Sequence, residues 1–554
     1  MTFGRDENRQ SIMGALKPGH GQSVSRAIIT TYSLDLVAML GLVLSLGGDP
    51  DAEFENSPLG LVKAFEQMRG RLVVLHQLGR VIAPARHRSI LPLLDTMVRA
   101  VSADERKASW HPKIALVRYE AAGKIEWRFW IGSRNLTGST DLDAGLLLVS
   151  GNDRSAKFVP DIADLAENFL RDANIPSTEL DELRSARWIA PPGISVRNIL
   201  WRRHGEESSF LRSAMIPRAE RACAVSPFID RTGLDELLNA GAGDIMMLTT
   251  DIAAANCIPP DGIKFRVDTT PEPAAPVSVE QQQEAAGGEF LEPPSTGIHA
   301  KLLAVSKGAR TALLLGSANH TKRGLLGPNA EAVALLDVAD EALIGSLYRF
   351  VATGCEPAAI ERDADLVEQE QARRNLDALI SRFLRTRFQL RLDEAGLHLE
   401  LAEIDGDVMM LAHFQVAAFI EDEEWVPIMH GATSVRIQAS PPTLSEQTAL
   451  VNFRATSAGD PRVSRTWVQA VEIAGIDMAK RDRALLARYV GANRFRDWLR
   501  SLLDGIDGTG GQKWSDGGAG VGRHETAGRL SNIFTLETML ASWARDTEAF
   551  EARI

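Results

Sequence analysis

The sequence predicts an α/β protein made of two related halves, with a small C-terminal β domain and a helical tail behind them. Three observations carry this. Strand-like and helix-like apolar runs alternate through residues 25–350. A series of strand, hairpin, strand, Gly-Ser-x-Asn and strand occurs twice, once after His111 and again after His299. Beyond about residue 360 the pattern becomes period-two alternation, as in FQLRLDEAGLHLELAEI, WVPIMHG, TSVRIQA and ALVNFRA.

The 554 residues exceed what one core supports, so three or four domains are expected. The predicted units are 25–180 and 181–355 for the halves, 375–478 for the β domain, and 479–554 for the helical end. Cys223, Cys257 and Cys355 are far apart, which argues against a disulfide framework or a zinc site, and no cofactor is expected. The start, MTFGRDENRQ, lacks a signal pattern, and the apolar run Leu36–Leu46 is about half a bilayer span. A cytoplasmic protein without stable membrane association is the expectation. A net charge of −12 opposes a globally basic nucleic-acid coat but leaves room for a locally basic cleft.

In chain order, residues 1–24 read as a loose arm. Ala27–Leu46 starts β-branched and turns helical, ending at Gly47-Gly48; Leu61–Met68 is amphipathic and Leu72–Leu75 a buried strand. Ile90–Ala100 has helical spacing. Residues 111–119, 125–131 and 144–149 are strands, repeated at 299–305, 311–315 and 332–336. Between the series, 223–228 and 244–249 read as strands and 232–238 as a helix. Residues 269–296, rich in Pro, Gln, Glu and Ala, read as a long mobile insertion rather than a lid. Leu366–Phe383 is an amphipathic helix, residues 481–503 are helical, 505–522 a glycine-rich linker, and 530–554 a terminal helix.

The chemistry sits in the repeated series. Side chains at i and i+2 of a strand share a face, so His111 projects with Lys113 and His299 with Lys301. Gly132-Ser133-Arg134-Asn135 and Gly316-Ser317-Ala318-Asn319 follow at the end of the adjacent strand, where Asn135 and Asn319 can lie beside the ammonium groups. Ammonium and carboxamide both donate to phosphate oxygens. Gly132 and Gly316 permit close backbone approach, Ser133 and Ser317 add donors to substrate, and Arg134 can track a phosphate chain. One imidazole must be neutral to attack phosphorus while the other is charged to protonate a leaving oxygen. A carboxylate near each ring would fix its tautomer. Asp143 and Glu331, each immediately before the third strand of its half, are the candidates.

This duplicated HxK and GSxN pattern resembles the phospholipase D superfamily over about residues 25–350, most specifically at 111–145 and 299–335. Neither copy carries the Asp of the full HxKxxxxD signature, since Arg118 and Ser306 stand there. That departure makes it more similar to tyrosyl-DNA phosphodiesterases and bacterial phospholipase-D-like nucleases than to lipid-hydrolysing members. The resemblance implies mixed sheets flanked by helices, a pseudo-two-fold with the site at the interface, no metal, and a phosphohistidine intermediate. By the same analogy His111 is the nucleophile and His299 the acid. Asn329-Ala330-Glu331 resembles the family's Asn-x-Glu, where the first half has Asp143-Ala144-Gly145. The implied substrate is nucleic acid, DNA ahead of RNA, with a helicase or other defence or repair protein as a partner by analogy. The competing readings are a phospholipid hydrolase or headgroup transferase, and a non-catalytic phosphate-binding module.

Other features read blandly. Trp110, Trp127 and Trp130 belong to the core, and His320-Thr321-Lys322 is an incidental third HxK. Lys322, Arg323, Arg86-His87-Arg88 and Arg202-Arg203-His204 are either phosphate-tracking or solvated. His398, His413 and His430 share no metal-ligand spacing.

Overall fold

The computed structural model describes residues 11–48, 58–84, 87–139, 141–176, 179–214, 219–239, 244–268, 297–357, 364–420 and 423–487. The first ten residues, Arg86, the 269–296 insertion, the glycine-rich linker and the terminal helix lie outside the described residues.

Eight strands form one sheet, in the order Val98–Val101, Leu72–Gln77, Ser23–Thr31, Ile114–Ala121, Lys124–Gly132, Gly145–Ser150, Arg187–Ile189 and Lys157–Phe158. Seven form a second, in the order Ile263–Val267, Ile245–Thr249, Arg221–Val225, Leu302–Lys307, Arg310–Gly316, Glu331–Val338 and Ile194–Arg202. In each sheet the first two junctions are parallel and the next four antiparallel. Both are therefore mixed sheets, and the run from Val98–Val101 to Gly145–Ser150 has the same order and directions as the run from Ile263–Val267 to Glu331–Val338. The chain leaves the first sheet after Ile189 and enters the second at Ile194.

Both faces of these strands are covered, which is why they read as continuous apolar runs. Ile114 and Leu116 face a core shared with the second sheet, while Ala115, Val117 and Tyr119 face the helices Leu36–Gly47 and Pro58–Met68. The shared core also takes Leu302, Leu315, Ala332 and Ala334 from the second sheet, with the helices Asp161–Asp172 and Glu341–Ala352. Asp35 caps Leu36–Gly47 by accepting from the Val37 N–H at 2.7 Å. A Cβ on Gly47 would sit 2.6 Å from the Ala64 carbonyl oxygen, so only glycine lets these two helices close.

Two sequence expectations change. Ile90–Ala100 is a 3-10 turn, Leu91–Thr96, followed by the strand Val98–Val101. Pro92 and the β-branched Val98 and Val101 outweigh the apolar spacing. Residues 11–24 are ordered rather than loose: Tyr119 donates its hydroxyl to the Leu16 carbonyl at 2.5 Å, and Arg128 donates to Lys17 at 2.7 Å.

The C-terminal strands build two further sheets around Phe383, Phe414, Phe453 and Trp467. This unit is joined to the first half more closely than the sequence suggests. The short strand Val81–Ile82 pairs with Ser464–Ala470, so one six-stranded sheet contains segments of both. Arg481, fully buried, donates to both oxygens of Asp95 at 2.9 and 2.7 Å across the same junction. Among the described residues no helix is long and apolar enough to cross a membrane.

Candidate active site

The two histidines sit where the sheets meet. Trp110 bridges to Ala330, and the His111 N–H donates to the Ala330 carbonyl at 3.0 Å. Leu142 bridges to Ile298, and the His299 N–H donates to the Leu142 carbonyl at 2.9 Å. Each bridge is parallel, so the next residues on the two strands become neighbours: His111 beside Glu331, and Asp143 beside His299.

The carboxylates therefore serve the opposite halves. His111 Nδ1 lies 3.1 and 3.0 Å from the two Glu331 oxygens, and His299 Nδ1 lies 2.9 Å from Asp143 Oδ1. Holding Nδ1 on a carboxylate turns Nε2 of each ring to the opposite side. Lys113 Nζ approaches His111 Nε2 at 2.7 Å, and Lys301 Nζ approaches His299 Nε2 at 3.2 Å. The histidines, at 7% and 9% exposure, are more open than Lys113, Lys301, Asn135, Asn319 and Glu331 at 1–2%, and Asp143 is more open still.

Ser133 and Ser317 orient the carboxylates. Ser133 donates to Asp143 at 2.9 Å and Ser317 donates to Glu331, while each hydroxyl accepts the N–H of Ala144 or Ala332 at 3.0 Å. Both are fully buried, so the expectation that they donate to substrate gives way to a role behind the carboxylates. Arg134 is likewise held inward, donating to Asp143 Oδ2 at 3.0 Å. The glycines work as expected, although what approaches is backbone. A Cβ on Gly132 would lie 2.7 Å from the Ala144 oxygen, and on Gly316 2.3 Å from the Ala332 oxygen.

Burial alone would raise both carboxyls. For Glu331 the charge and hydrogen bond of His111, then Lys113 and Ser317, outweigh it and hold the group below the usual range. For Asp143 the charge and hydrogen bond of His299, then Arg134 and Lys301, do the same. Both are carboxylates at neutral pH.

Several positioning residues escaped the sequence reading. Thr31 ends the strand Ser23–Thr31, and Ser226 directly follows Arg221–Val225. Thr31 Oγ1 donates to the Ser33 carbonyl at 2.6 Å, and Ser226 Oγ to the Phe228 carbonyl at 2.7 Å. Each accepts the N–H after its asparagine, from Leu136 at 2.9 Å and His320 at 3.0 Å. The recurrence of a hydroxyl residue at both strand ends was the available signal. Between these anchors Tyr32 corresponds to Pro227. The Tyr32 N–H donates to Asn135 Oδ1 at 3.2 Å, which turns the buried Asn135 Nδ2 away with no protein partner. Proline has no N–H, so Asn319 is held differently.

Arg202, read from sequence as part of a surface basic cluster, is fully buried opposite Glu331. It donates to the carbonyls of Asn329, Ser208, Arg323 and Gly324 at 2.9, 2.8, 2.9 and 2.7 Å, clamping the loop that delivers Glu331. Burial, opposed by Glu331, pulls its guanidinium down to about 10. Asn329 accepts the Ser109 N–H at 3.0 Å from across the junction. Trp110 and Trp127 are core residues, as read. At the signature-Asp positions, Arg118 pairs with Glu182 at 2.9 Å and Ser306 bonds Thr311 at 2.9 Å.

His76 and His320 are buried and neutral. Burial pulls His76 down to about 4, and burial with the Lys301 charge pulls His320 down to about 3. Unfolded histidine titrates near 6.5, so their contribution to stability is complete above that pH and falls away toward the folded values. Unfolding by urea is expected to show a loss of about 4 kcal/mol between pH 7 and pH 5. Replacing both with leucine should remove most of that slope.

No family model matches the chain, and no curated protein matches it. Among solved structures, the chain is similar to a polyphosphate kinase from Porphyromonas gingivalis, at 16% identity and TM-score 0.34, covering 61% of this chain and 44% of that one. It thus spans less than half the length of that kinase. It is similar to yeast tyrosyl-DNA phosphodiesterase at 12% identity and TM-score 0.35, covering 60% and 86% of the two chains. It is similar to phosphatidylserine synthase from Haemophilus influenzae at 13% identity and TM-score 0.33, covering 68% and 90%.

Proposed function

We propose that the protein is a phosphodiesterase of the phospholipase D type, its two sheets the halves of one duplicated unit about a pseudo-two-fold axis. Its substrate is nucleic acid, and cleavage runs through a phosphohistidine without a divalent ion. The observation that carries this reading is the crossed pairing: each imidazole has Nδ1 on a carboxylate of the other half and Nε2 beside a lysine. That arrangement supplies two orientated imidazoles and a set of ammonium and amide donors at one junction.

In the proposed reaction, His111 Nε2 attacks phosphorus, and its lone pair forms the P–N bond as the P–O bond to the leaving group breaks. Protonated His299 gives its Nε2 proton to the departing oxygen. Neutral His299 then takes a proton from water, whose oxygen attacks phosphorus and breaks the P–N bond. Lys113, Lys301, Asn135 and Asn319 donate to the non-bridging oxygens as charge gathers there. The role order is supported by the counter-charges. Glu331 directs both oxygens at His111, whereas Asp143 divides its charge between His299 and Arg134. The weaker counter-charge suits the ring that must release its proton. Nucleic acid is favoured over lipid by the resemblance and by the absence of the signature Asp.

Incubation with single- and double-stranded DNA, RNA and phosphatidylcholine vesicles, all in EDTA, tests the reading. Wild-type protein should cleave a nucleic acid, and His111→Ala and His299→Ala should each lose roughly a thousandfold or more. Undiminished cleavage in both variants, or a strict need for a divalent ion, removes it.

A further inference from the structure

Tyr32 lies between the His111 ring and a buried charge cluster that the C-terminal domain completes. Its ring meets His111 edge-on, centroids 5.0 Å apart at 62°. The Arg80 guanidinium lies over the Tyr32 ring at 5.2 Å, and Lys113 Nζ at 5.9 Å. Arg80, fully buried, donates to both Glu105 oxygens, at 2.8 Å from Nε and 2.5 Å from Nη2. All of these belong to the first half. Arg465 does not: it lies on the strand Ser464–Ala470, donates to Asp377 of the helix Ala364–Phe383 at 2.7 Å, and donates to the Gly79 carbonyl at 2.6 Å. Its charge acts on both Tyr32 and Glu105. Two cations and two anions therefore share one water-poor region directly behind Tyr32, and half of them come from a unit outside the duplicated sheets.

We infer that the C-terminal β domain is a working part of the site, with Arg465 and Asp377 completing the cluster that positions Tyr32 and, through it, the His111 ring. Buried charges of this kind are stable only as a balanced set, because each removed partner leaves its opposite unpaired in low dielectric. Withdrawing the whole domain would remove Arg465 and Asp377 together and leave Arg80 paired with Glu105, so it is the loss of one member at a time that unbalances the cluster. Tyr32 transmits this in two ways. Its ring edge limits the rotation of the imidazole, and its N–H sets the Asn135 amide. His111 is faced by Glu331 from the second half, by Lys113 from its own strand and by Tyr32 from the strand end, with Arg80, Glu105, Arg465 and Asp377 behind Tyr32.

The inference rests on the proposed role of His111, and its test separates the two. Arg465→Met and Asp377→Asn change the cluster charge in opposite senses. Removing the cation leaves an excess negative charge that favours a protonated imidazole; removing the anion does the reverse. With bis(4-nitrophenyl) phosphate as substrate, the acid limb of the pH–activity profile should move up in Arg465→Met and down in Asp377→Asn, each by about half a pH unit. The double variant should return it, and Arg465→Lys should leave it in place. A purely structural role would lower activity in both without opposed shifts. Glu105→Gln, which carries the same charge change as Asp377→Asn, serves if that variant does not fold. The His111 ring resonance in histidine-labelled protein, assigned by its loss in His111→Asn, reads the same coupling whether or not the protein hydrolyses the diester. Opposed shifts in that resonance without hydrolysis would uphold the coupling and discard the proposed reaction. Shifts of one sign, or none, would overturn the inference.

Discussion

His299→Asn protein given excess bis(4-nitrophenyl) phosphate is expected to stop with one phosphoryl group on His111 and one equivalent of nitrophenol released. His111→Asn is expected to form no adduct. The difference follows from what each half-reaction demands. Attack by His111 on this ester needs no acid, because nitrophenolate departs unaided. Release of the phosphohistidine needs a base to take a proton from water, and in the reading above that base is His299. Loss of a positioned base slows proton transfer by roughly a hundredfold to ten-thousandfold, so the intermediate should persist long enough to be mapped by mass spectrometry at neutral or alkaline pH. An adduct on His299 in His111→Asn would reverse the roles while preserving the mechanism. An adduct in neither variant, with wild-type turnover intact, would remove the covalent route.

The residues that make this prediction possible were visible in the sequence because they are local. His111 and Lys113 come just before the strand Ile114–Ala121 and Asn135 just after Lys124–Gly132, and their second copies flank Leu302–Lys307 and Arg310–Gly316 in the same way, so their order along the chain reproduces their placement. What was not legible is which acid serves which ring. Asp143 follows Asn135 closely, and proximity in sequence suggests that it supports His111. The crossing is made by two isolated bridges, Trp110 to Ala330 and Leu142 to Ile298, that join segments 156 to 220 residues apart. No periodicity records such contacts. The closeness of the C-terminal unit was hidden for a similar reason. Its anchor strand Val81–Ile82 is two residues long, too short to alternate, and the partner residues Arg465 and Asp95 look like ordinary surface charges until their burial is known. From sequence the serines suggest donors to substrate, because a hydroxyl beside a phosphate site commonly is one. Their place behind the carboxylates depends on the Ala144 and Ala332 N–H groups, which only the register of the third strands reveals.

The crossing itself has a kinetic signature. Glu331→Gln is expected to lower kcat/KM by roughly a thousandfold to ten-thousandfold on both a nitrophenyl ester and an unactivated DNA diester. A glutamine amide can present its NH2 to Nδ1, which stabilises the ring with its proton on Nε2 and removes the lone pair that attacks. Since attack precedes departure of any leaving group, the loss should not depend on which ester is used. Asp143→Asn should behave otherwise. It weakens the hold on the His299 ring, so it should penalise the DNA diester, whose alkoxide requires a proton, far more than the nitrophenyl ester's first step, whose phenolate does not. The burst of nitrophenol should survive in Asp143→Asn and vanish in Glu331→Gln. If each acid instead served the histidine of its own half, Asp143→Asn would abolish the burst and Glu331→Gln would spare it. Single-turnover release of nitrophenol from the two variants therefore distinguishes a junction built by exchange between the halves from two self-contained ones.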